Sequence, residues 1–195
     1  GGRGRRAGAR AMSRLTQFVA WWHDRHTRRK MERVFARRAD AFGYAQSTYE
    51  LARQEAVAQA AAERPVRHAL EIGCGEGFLT ERLAAFCGSM TAVDVSPTAV
   101  ARARARLAAA GARVILVEAN IRTWIPPSAG FDLIVISDVL SYLGSRGDGL
   151  PLVQEPEFRS WLERVAGWLA PGGRLLLAHG FISPEEREVR AGYRA

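Results

Sequence analysis

Short apolar runs alternate with amphipathic stretches along most of the chain. The stretches between the runs repeat apolar residues at helical spacing, as in Leu79 and Leu83. Strands that alternate with helices predict an α/β domain with a doubly wound, mostly parallel sheet, which binds ligands at the carboxyl ends of its strands. The five runs predicted as strands are residues 68–71, 89–95, 113–117, 131–136 and 174–178.

The first predicted strand leads into a glycine-rich turn. The segment HALEIGCGEGF carries glycines at positions 73, 75 and 77, after Glu71 and Ile72. Glycine lets the backbone turn sharply and approach a ligand closely, and the following helix directs its positive N-terminus at that turn. A dinucleotide-binding turn has its third glycine one position later, where Phe78 stands. The spacing therefore separates this turn from the dinucleotide fingerprint.

A second acidic residue ends the second predicted strand. Asp94 lies 17 residues after the last of these glycines, where a carboxylate can accept hydrogen bonds from both hydroxyl groups of a ribose. Capping the next helix is the alternative role, but Ser96 suits that role better. Pro97 is then the first residue of a helix that we expect to run to Leu107 and to stop before Gly111.

Four segments in this order resemble the motifs of class I S-adenosylmethionine-dependent methyltransferases: LEIGCGEGF, AVDVSPTAVARAR, FDLIVISDVLSYL and LAPGGRLLLAH. The resemblance covers residues 35–179 and implies a Rossmann-like sheet preceded by an N-terminal helical segment. The segment FARRADAFGYAQSTYELARQE, with TERLAAFC and ISDVLSYL, is similar to the nodulation-type N-methyltransferases and their bacterial relatives. Members of that group methylate an amine on a sugar or oligosaccharide.

The resemblance implies that S-adenosylmethionine is the cofactor. The glycines would pass beneath its methionine portion and ribose, and Asp94 would bind the ribose. Asn120 stands where the family commonly has aspartate, and its amide oxygen can still accept a hydrogen bond from the adenine amino group. Glu71 would orient the glycine turn, with an exposed strand-end carboxylate as the alternative. The implied cofactor-binding residues are Glu71, Gly73, Cys74, Gly75, Gly77, Asp94, Val95, Asn120, Ile121 and Ser137.

An amine must be neutral to attack a methyl group, so a nearby base is expected. Asp138, just after the fourth strand, stands where nodulation-type relatives commonly carry glutamate and is the first candidate. His179, after the fifth strand, is the second, although a lone histidine is more often structural. The candidate substrate-binding residues are Tyr142, Tyr44 and Tyr49, and no metal site is predicted.

Two further segments have open roles. Residues 144–156 are rich in glycine and proline and follow the fourth strand on the ligand side, which predicts either a lid or an ordinary surface loop. Trp124 is predicted either to cover the adenine ring or to belong to the core.

Composition agrees with one domain in a reducing compartment. A chain of 195 residues with 48% hydrophobic residues can bury a sizeable core. The two cysteines suggest no disulfide framework, so we expect a cytoplasmic protein. We expect residues 1–34 to be a basic leader and N-terminal helix, partly disordered, and residues 35–195 to be the methyltransferase domain. The chain lacks an initiator methionine, so Met12 is the predicted start, and we expect a truncated C-terminal strand hairpin.

The net charge of +8 raises the question whether the protein binds nucleic acid, because basic surfaces attract phosphates. Four arginines lie in residues 1–11, and seven basic residues lie in residues 25–38. We favour a helix with a solvated basic face over an RNA-binding surface. The arginines expected to face solvent in the helix after Asp94 are Arg102, Arg104 and Arg106.

The function expected from these observations is methyl transfer to a small-molecule or saccharide acceptor, foremost at an amine. An RNA or an aromatic natural product is the alternative acceptor. A non-catalytic methyltransferase-like domain, which binds cofactor or a protein partner, is the alternative of a different class.

Overall fold

The computed structural model describes residues 14–108, 113–142 and 156–179. Five α-helices and five strands occur in this part of the chain. The helices are α1 (Arg14–Arg37), α2 (Thr48–Ala62), α3 (Phe78–Ala84), α4 (Pro97–Arg106) and α5 (Pro156–Ala166). The strands are β1 (Val66–Ile72), β2 (Cys87–Asp94), β3 (Val114–Glu118), β4 (Phe131–Ser137) and β5 (Leu169–Ala178), and a short 3-10 helix, Leu140–Tyr142, follows β4. The predictions for the leader with Met12, the stop at Gly111, the loop before Pro156 and the C-terminal hairpin lie outside the described residues.

The strands form one parallel sheet in the order β3-β2-β1-β4-β5. This order confirms the predicted doubly wound α/β fold. In the central strand, Ile72 is paired with Val93 of β2 and Ile136 of β4. The carboxyl ends of neighbouring strands therefore lie side by side at one edge of the sheet, where this fold class binds ligands.

Helices cover both faces of the sheet. Leu133 and Val135 of β4 belong to a core cluster with residues of α2 and α3. Ile134 and Ile136 belong to a second cluster, on the side that α5 covers with Phe158, Trp161 and Val165. Because both faces are buried, β4 is apolar at nearly every position instead of alternating with polar residues.

The fifth strand begins earlier than the sequence predicts. Phe131 is paired with Leu169, whereas Leu133 is paired with Arg174, so the Pro171-Gly172-Gly173 turn is an irregularity within the ladder and does not precede it. A Cβ atom on Gly173 would lie 2.6 Å from the backbone oxygen of Phe131. Glycine is required there because the two backbones approach closely.

Helix α1 is amphipathic, as predicted. Met31 and Phe35 are buried and pack against Ala99 of α4. The basic side chains between Arg25 and Arg38 are all exposed. Helix α1 continues across residue 34, the predicted boundary between the leader and the methyltransferase domain. The division of the chain into these two regions stays a prediction. Within the described residues, no helix is long and apolar enough to span a membrane.

Ser96 caps α4 and ties it to α1. Its hydroxyl oxygen accepts a hydrogen bond from Ala99 N at 3.1 Å and donates to Glu32 Oε2 at 2.6 Å. The Thr98 hydroxyl donates to the same carboxylate. Partial burial raises the pKa of Glu32, but these hydrogen bonds hold that pKa below its ordinary value. The predicted N-cap is therefore confirmed, and it also fixes the position of α1.

One carboxyl group is buried inside the fold. Glu71 in β1 is only 2% exposed, which rules out the exposed strand-end alternative. The hydroxyl of Thr80 in α3 donates to its Oε2 at 2.6 Å. Burial, with a smaller contribution from the charge of Asp94, raises the pKa of Glu71 to about 7 despite that hydrogen bond.

We expect Ser96→Ala to lower the free energy of unfolding by about 2 kcal/mol, because both the cap and the bond to Glu32 are lost. Ser47→Ala is the matched control, since Ser47 caps α2 through Glu50 N alone and is partly exposed. It should cost about 0.5 kcal/mol. Urea unfolding of both variants makes the comparison, and equal losses would contradict the dual role of Ser96.

We expect Glu71 to make stability depend on pH. A carboxyl group whose pKa is raised from 4.5 to about 7 on folding binds more protons in the folded state, so stability falls as pH rises through that window. Glu71→Gln should gain about 3 kcal/mol relative to wild type between pH 4 and pH 8. Urea unfolding at both pH values tests this. Glu81→Gln, at an exposed position of α3, should show no such gain.

Candidate functional site

The glycine turn after β1 is held by the end of β2. Gly73 N and Cys74 N both donate to Val93 O, at 2.7 and 3.1 Å. Gly75 N donates to Asp94 Oδ2 at 2.9 Å. Three successive amides of the turn are therefore fixed by two residues of the neighbouring strand.

Each of these positions in the turn favours glycine for a conformational or a steric reason. Gly73 has φ +79°, and a Cβ atom there would lie 2.0 Å from the Val139 side chain. Gly75 has φ +51°, and a Cβ atom there would lie 3.6 Å from the Phe35 ring. Gly77 has φ +81° and approaches Ala103 of α4, where a Cβ atom would lie 3.1 Å from the Ala103 Cβ. Gly77 thus serves helix packing, and it does not line the cavity described below.

The Asp94 carboxylate is buried and bonded to two backbone amides. Its Oδ2 accepts from Gly75 N and its Oδ1 accepts from Ser96 N, both at 2.9 Å. Burial raises the pKa of Asp94, and the hydrogen bonds from the Ser96 and Gly75 amides oppose that effect. The carboxylate therefore has one fixed orientation at the end of β2.

A cavity of about 320 Å³ lies at the carboxyl ends of β1 to β4. The chain segment before α2 forms its outer wall with aromatic rings. Phe35 and Phe42 pack edge to face at 5.6 Å, and Tyr44 contacts Phe42 at 5.6 Å and Phe78 at 5.9 Å. The predicted residues that line the cavity are Tyr44, Glu71, Gly73, Cys74, Gly75, Asp94, Val95, Asn120, Ile121, Ser137, Asp138 and Tyr142.

Glu76, inside the glycine turn, holds the aromatic wall in place. Its side chain is only 3% exposed. Its oxygens accept from Asp40 N at 3.2 Å and Ala41 N at 3.1 Å, and its Oε1 accepts from Arg102 Nη1 at 2.8 Å. The segment between α1 and α2 is therefore anchored to the turn after β1.

Arg102 does not face solvent freely, contrary to the sequence prediction. Its Nη1 also donates to Phe35 O and Arg38 O, both at 2.8 Å, because these carbonyls end α1 and lack helical partners. Arg106 is exposed, yet its guanidinium stacks on the Phe78 ring at 3.6 Å. Arg104 is exposed as predicted.

The turn after β3 forms the far end of the cavity. The Asn120 side-chain oxygen accepts from Arg122 N at 3.0 Å, so this oxygen also stabilises its own turn. Ile121 is 8% exposed, and its carbonyl accepts from Trp161 Nε1 at 3.1 Å. Trp124 packs edge to face with Trp168 at 5.9 Å. The core role for Trp124 is therefore correct, and this ring does not line the cavity.

Charged residues cluster where β4 ends. Arg53 of α2 contacts Glu50, Ser137 and Asp138. Burial and the nearby charge of Asp138 raise the pKa of Tyr44 above its ordinary value. The same two causes raise the pKa of Tyr142. Both tyrosines therefore keep their hydroxyl protons at neutral pH.

Besides Gly77, two other predicted residues do not line the cavity. Tyr49 is 55% exposed on the surface of α2. His179 directly follows β5 and is not among the residues that line the cavity.

Sequence reasoning missed Arg53 and Glu76 as parts of the site. An acidic residue between the last two glycines of the turn could have indicated Glu76. Arg53 lies three residues after Glu50 on a predicted helix, a spacing that favours an ion pair. Neither pattern could reveal contacts with distant segments.

Comparisons with known proteins identify the family of this chain. A family model described as a methyltransferase domain matches residues 69–173. Nodulation protein S of Rhizobium tropici is 36% identical over 115 residues, which are 59% of this chain and 44% of that protein. Nodulation protein S of Sinorhizobium fredii is 33% identical over 112 residues, which are 57% of this chain and 47% of that protein. The chain thus spans less than half the length of these relatives.

Solved structures share the fold. The N-methyltransferase NodS from Bradyrhizobium japonicum WM9, in complex with S-adenosyl-L-homocysteine, is similar with a TM-score of 0.66 and 29% identity, covering 77% of this chain and 71% of that one. A phosphoethanolamine N-methyltransferase of Haemonchus contortus has a TM-score of 0.68 at 15% identity, covering 89% of this chain and 35% of that one. Since the family match at residues 69–173 includes more than half of the chain, with the glycine turn and Asp94, the chain belongs to the methyltransferase domain family.

Proposed function

We propose that this chain transfers a methyl group from S-adenosylmethionine to an amine on a small-molecule or saccharide acceptor. The observation that carries the proposal is one cavity that contains the fixed glycine turn, the oriented Asp94 carboxylate and Asp138. The similarity to nodulation protein S and to the S-adenosyl-L-homocysteine complex of NodS supports the cofactor and the amine acceptor.

The donor and acceptor groups of the cavity fit this cofactor. An ionised carboxylate has about four lone-pair sites, so Asp94 can accept two ribose hydroxyls beside its two backbone amides. Ile121 provides an apolar surface for adenine, and Asn120 a polar group at its edge; the Asn120 oxygen can accept a second hydrogen bond. The residues assigned to the remaining portions of the cofactor are Glu71, Gly73, Cys74, Gly75, Val95 and Ser137.

Positioning and proton removal are the tasks of the protein. When bound, S-adenosylmethionine supplies a methyl group on a positively charged sulfur. Holding two reactants in line can supply about 7 to 11 kcal/mol of the barrier. Asp138 accepts the proton of an acceptor ammonium, which frees the nitrogen lone pair for bond formation. Tyr44 and Tyr142 line the same part of the cavity and can donate hydrogen bonds to an acceptor.

We expect calorimetry to detect binding of S-adenosylmethionine and S-adenosylhomocysteine, and not of NAD. Asp94→Ala should weaken binding by about 3 kcal/mol, because the ribose loses a charged acceptor and the glycine turn loses its anchor. Asp132→Ala is the control, since this carboxylate lies at the opposite end of β4. Tight binding of NAD, or unchanged affinity in the Asp94 variant, would refute the assignment.

We expect Asp138→Asn to lower turnover by about 100-fold while leaving cofactor affinity nearly unchanged, because the shape is kept and the base is removed. The loss should shrink as pH rises, since solvent then deprotonates more of the free amine. Rates with glucosamine between pH 7 and pH 9.5, with Asp132→Asn as control, make the measurement. Wild-type turnover at pH 7 would instead favour His179 as the base, and lost cofactor binding would move Asp138 into the cofactor pocket.

A further inference from the structure

Arg53 connects α2 to the last residues of β4. Its Nη1 donates to Ser137 Oγ at 2.9 Å and lies 2.5 Å from Asp138 Oδ2. Its Nη2 and Nε both donate to Glu50 Oε2, at 2.6 and 3.0 Å. One planar guanidinium therefore bridges two carboxylates from different elements of the fold.

The charge of Arg53 is already compensated within this cluster. Its side chain is 12% exposed, beside Glu50 at 20% and Asp138 at 29%. Burial lowers the pKa of Arg53. The hydrogen bond to Glu50 and the charges of Asp138 and Glu50 outweigh burial and hold that pKa above its ordinary value. Two carboxylates face one guanidinium, so the trio carries a net negative charge. This balance suits an incoming cation and argues against Arg53 as a receptor for an anionic group.

The backbone and the side chain of Asp138 are fixed by different partners. Asp138 has φ +55°, and its N–H donates to Ala178 O at 2.9 Å. These features set where its Cα lies, but they do not set its side-chain torsions. The Arg53 guanidinium selects one orientation of Oδ2, and Glu50 in turn fixes the guanidinium.

We propose that Arg53 is a positioning residue for the acceptor reaction, which orients the Asp138 carboxylate in the cavity and is itself oriented by Glu50. The proposal rests on the methyl-transfer function proposed above. A planar fork with fixed donor directions performs this task, whereas an ammonium group is a point charge on a flexible stem. A misplacement of about 1 Å can reduce a rate by about 100-fold, so the orientation of Asp138 matters as much as its presence.

The experiment is a double-mutant cycle. The variants are Arg53→Gln, Arg53→Lys, Asp138→Asn and the Arg53→Gln/Asp138→Asn double variant. Arg82→Gln is the matched control, because Arg82 pairs with Glu55 of α2 at 3.2 Å outside the cavity. Each protein is assayed for S-adenosylhomocysteine affinity by calorimetry, for thermal midpoint, and for kcat and KM with glucosamine and its linear tetramer.

Arg53→Gln should lower kcat/KM by about 100-fold and change S-adenosylhomocysteine affinity by less than about threefold. In the Asp138→Asn background, the same substitution should lower kcat/KM by less than about threefold, because its effect passes through the missing carboxylate. Arg53→Lys, which keeps the charge, should recover about tenfold of the loss. If Arg53 only stabilised the fold, Arg53→Gln would still lower kcat/KM in the Asp138→Asn background. Arg53→Lys would then not restore kcat/KM either.

Three results would overturn the proposal. Loss of S-adenosylhomocysteine affinity in Arg53→Gln equal to its loss of turnover would make Arg53 a cofactor ligand. Additive effects with Asp138→Asn would make it independent of Asp138, and wild-type kinetics would remove it from the reaction. Failure of the proposed function is distinguishable, because the wild-type chain would then neither bind S-adenosylhomocysteine nor methylate the amines.

Discussion

The site depends first on the Asp94 carboxylate, which joins two loops at the carboxyl edge of the sheet. It accepts Gly75 N on one side and Ser96 N on the other, both at 2.9 Å. Burying a carboxylate is unfavourable, and these charge-assisted hydrogen bonds offset much of that cost. The same interaction therefore sets the path of the glycine turn and the start of α4. The proposed role of Asp94 in binding a ribose requires this orientation, which the backbone amides provide.

Two further carboxylates connect the N-terminal segment to α4 and to the glycine turn. Glu32 of α1 bonds the cap and first turn of α4, and Glu76 of the glycine turn bonds Asp40 N and Ala41 N. Both belong to a chain with a net charge of +8, yet each points inward to backbone amides or hydroxyls, whereas the basic side chains between Arg25 and Arg38 are exposed. The outer wall of the cavity is thus held by hydrogen bonds to acids, and ring contacts such as Phe35 against Phe42 complete it.

Local patterns predicted the parts of the structure that depend on local physics. The apolar runs located the five strands, and the Ser96-Pro97 pair located the start of α4, because burial and capping act within a few residues. The partners of Arg102 and Arg53 could not be predicted in this way, since they lie 67 residues away at Phe35 and 84 residues away at Ser137. The β5 turn was misplaced for a similar reason: only pairing with Phe131 shows that the glycines lie within the ladder.

The environment of each carboxyl group at the strand ends, more than its residue type, determines which role that group can have. Glu71 is 2% exposed and bonded to Thr80, so it cannot exchange a proton with an acceptor even though burial raises its pKa to about 7. Asp94 has both oxygens committed to backbone amides. Asp138 is more accessible, at 29% exposed, and it is paired with the Arg53 side chain. Accessibility, and not acidity alone, is the property that suits a carboxylate to receive a proton from an acceptor.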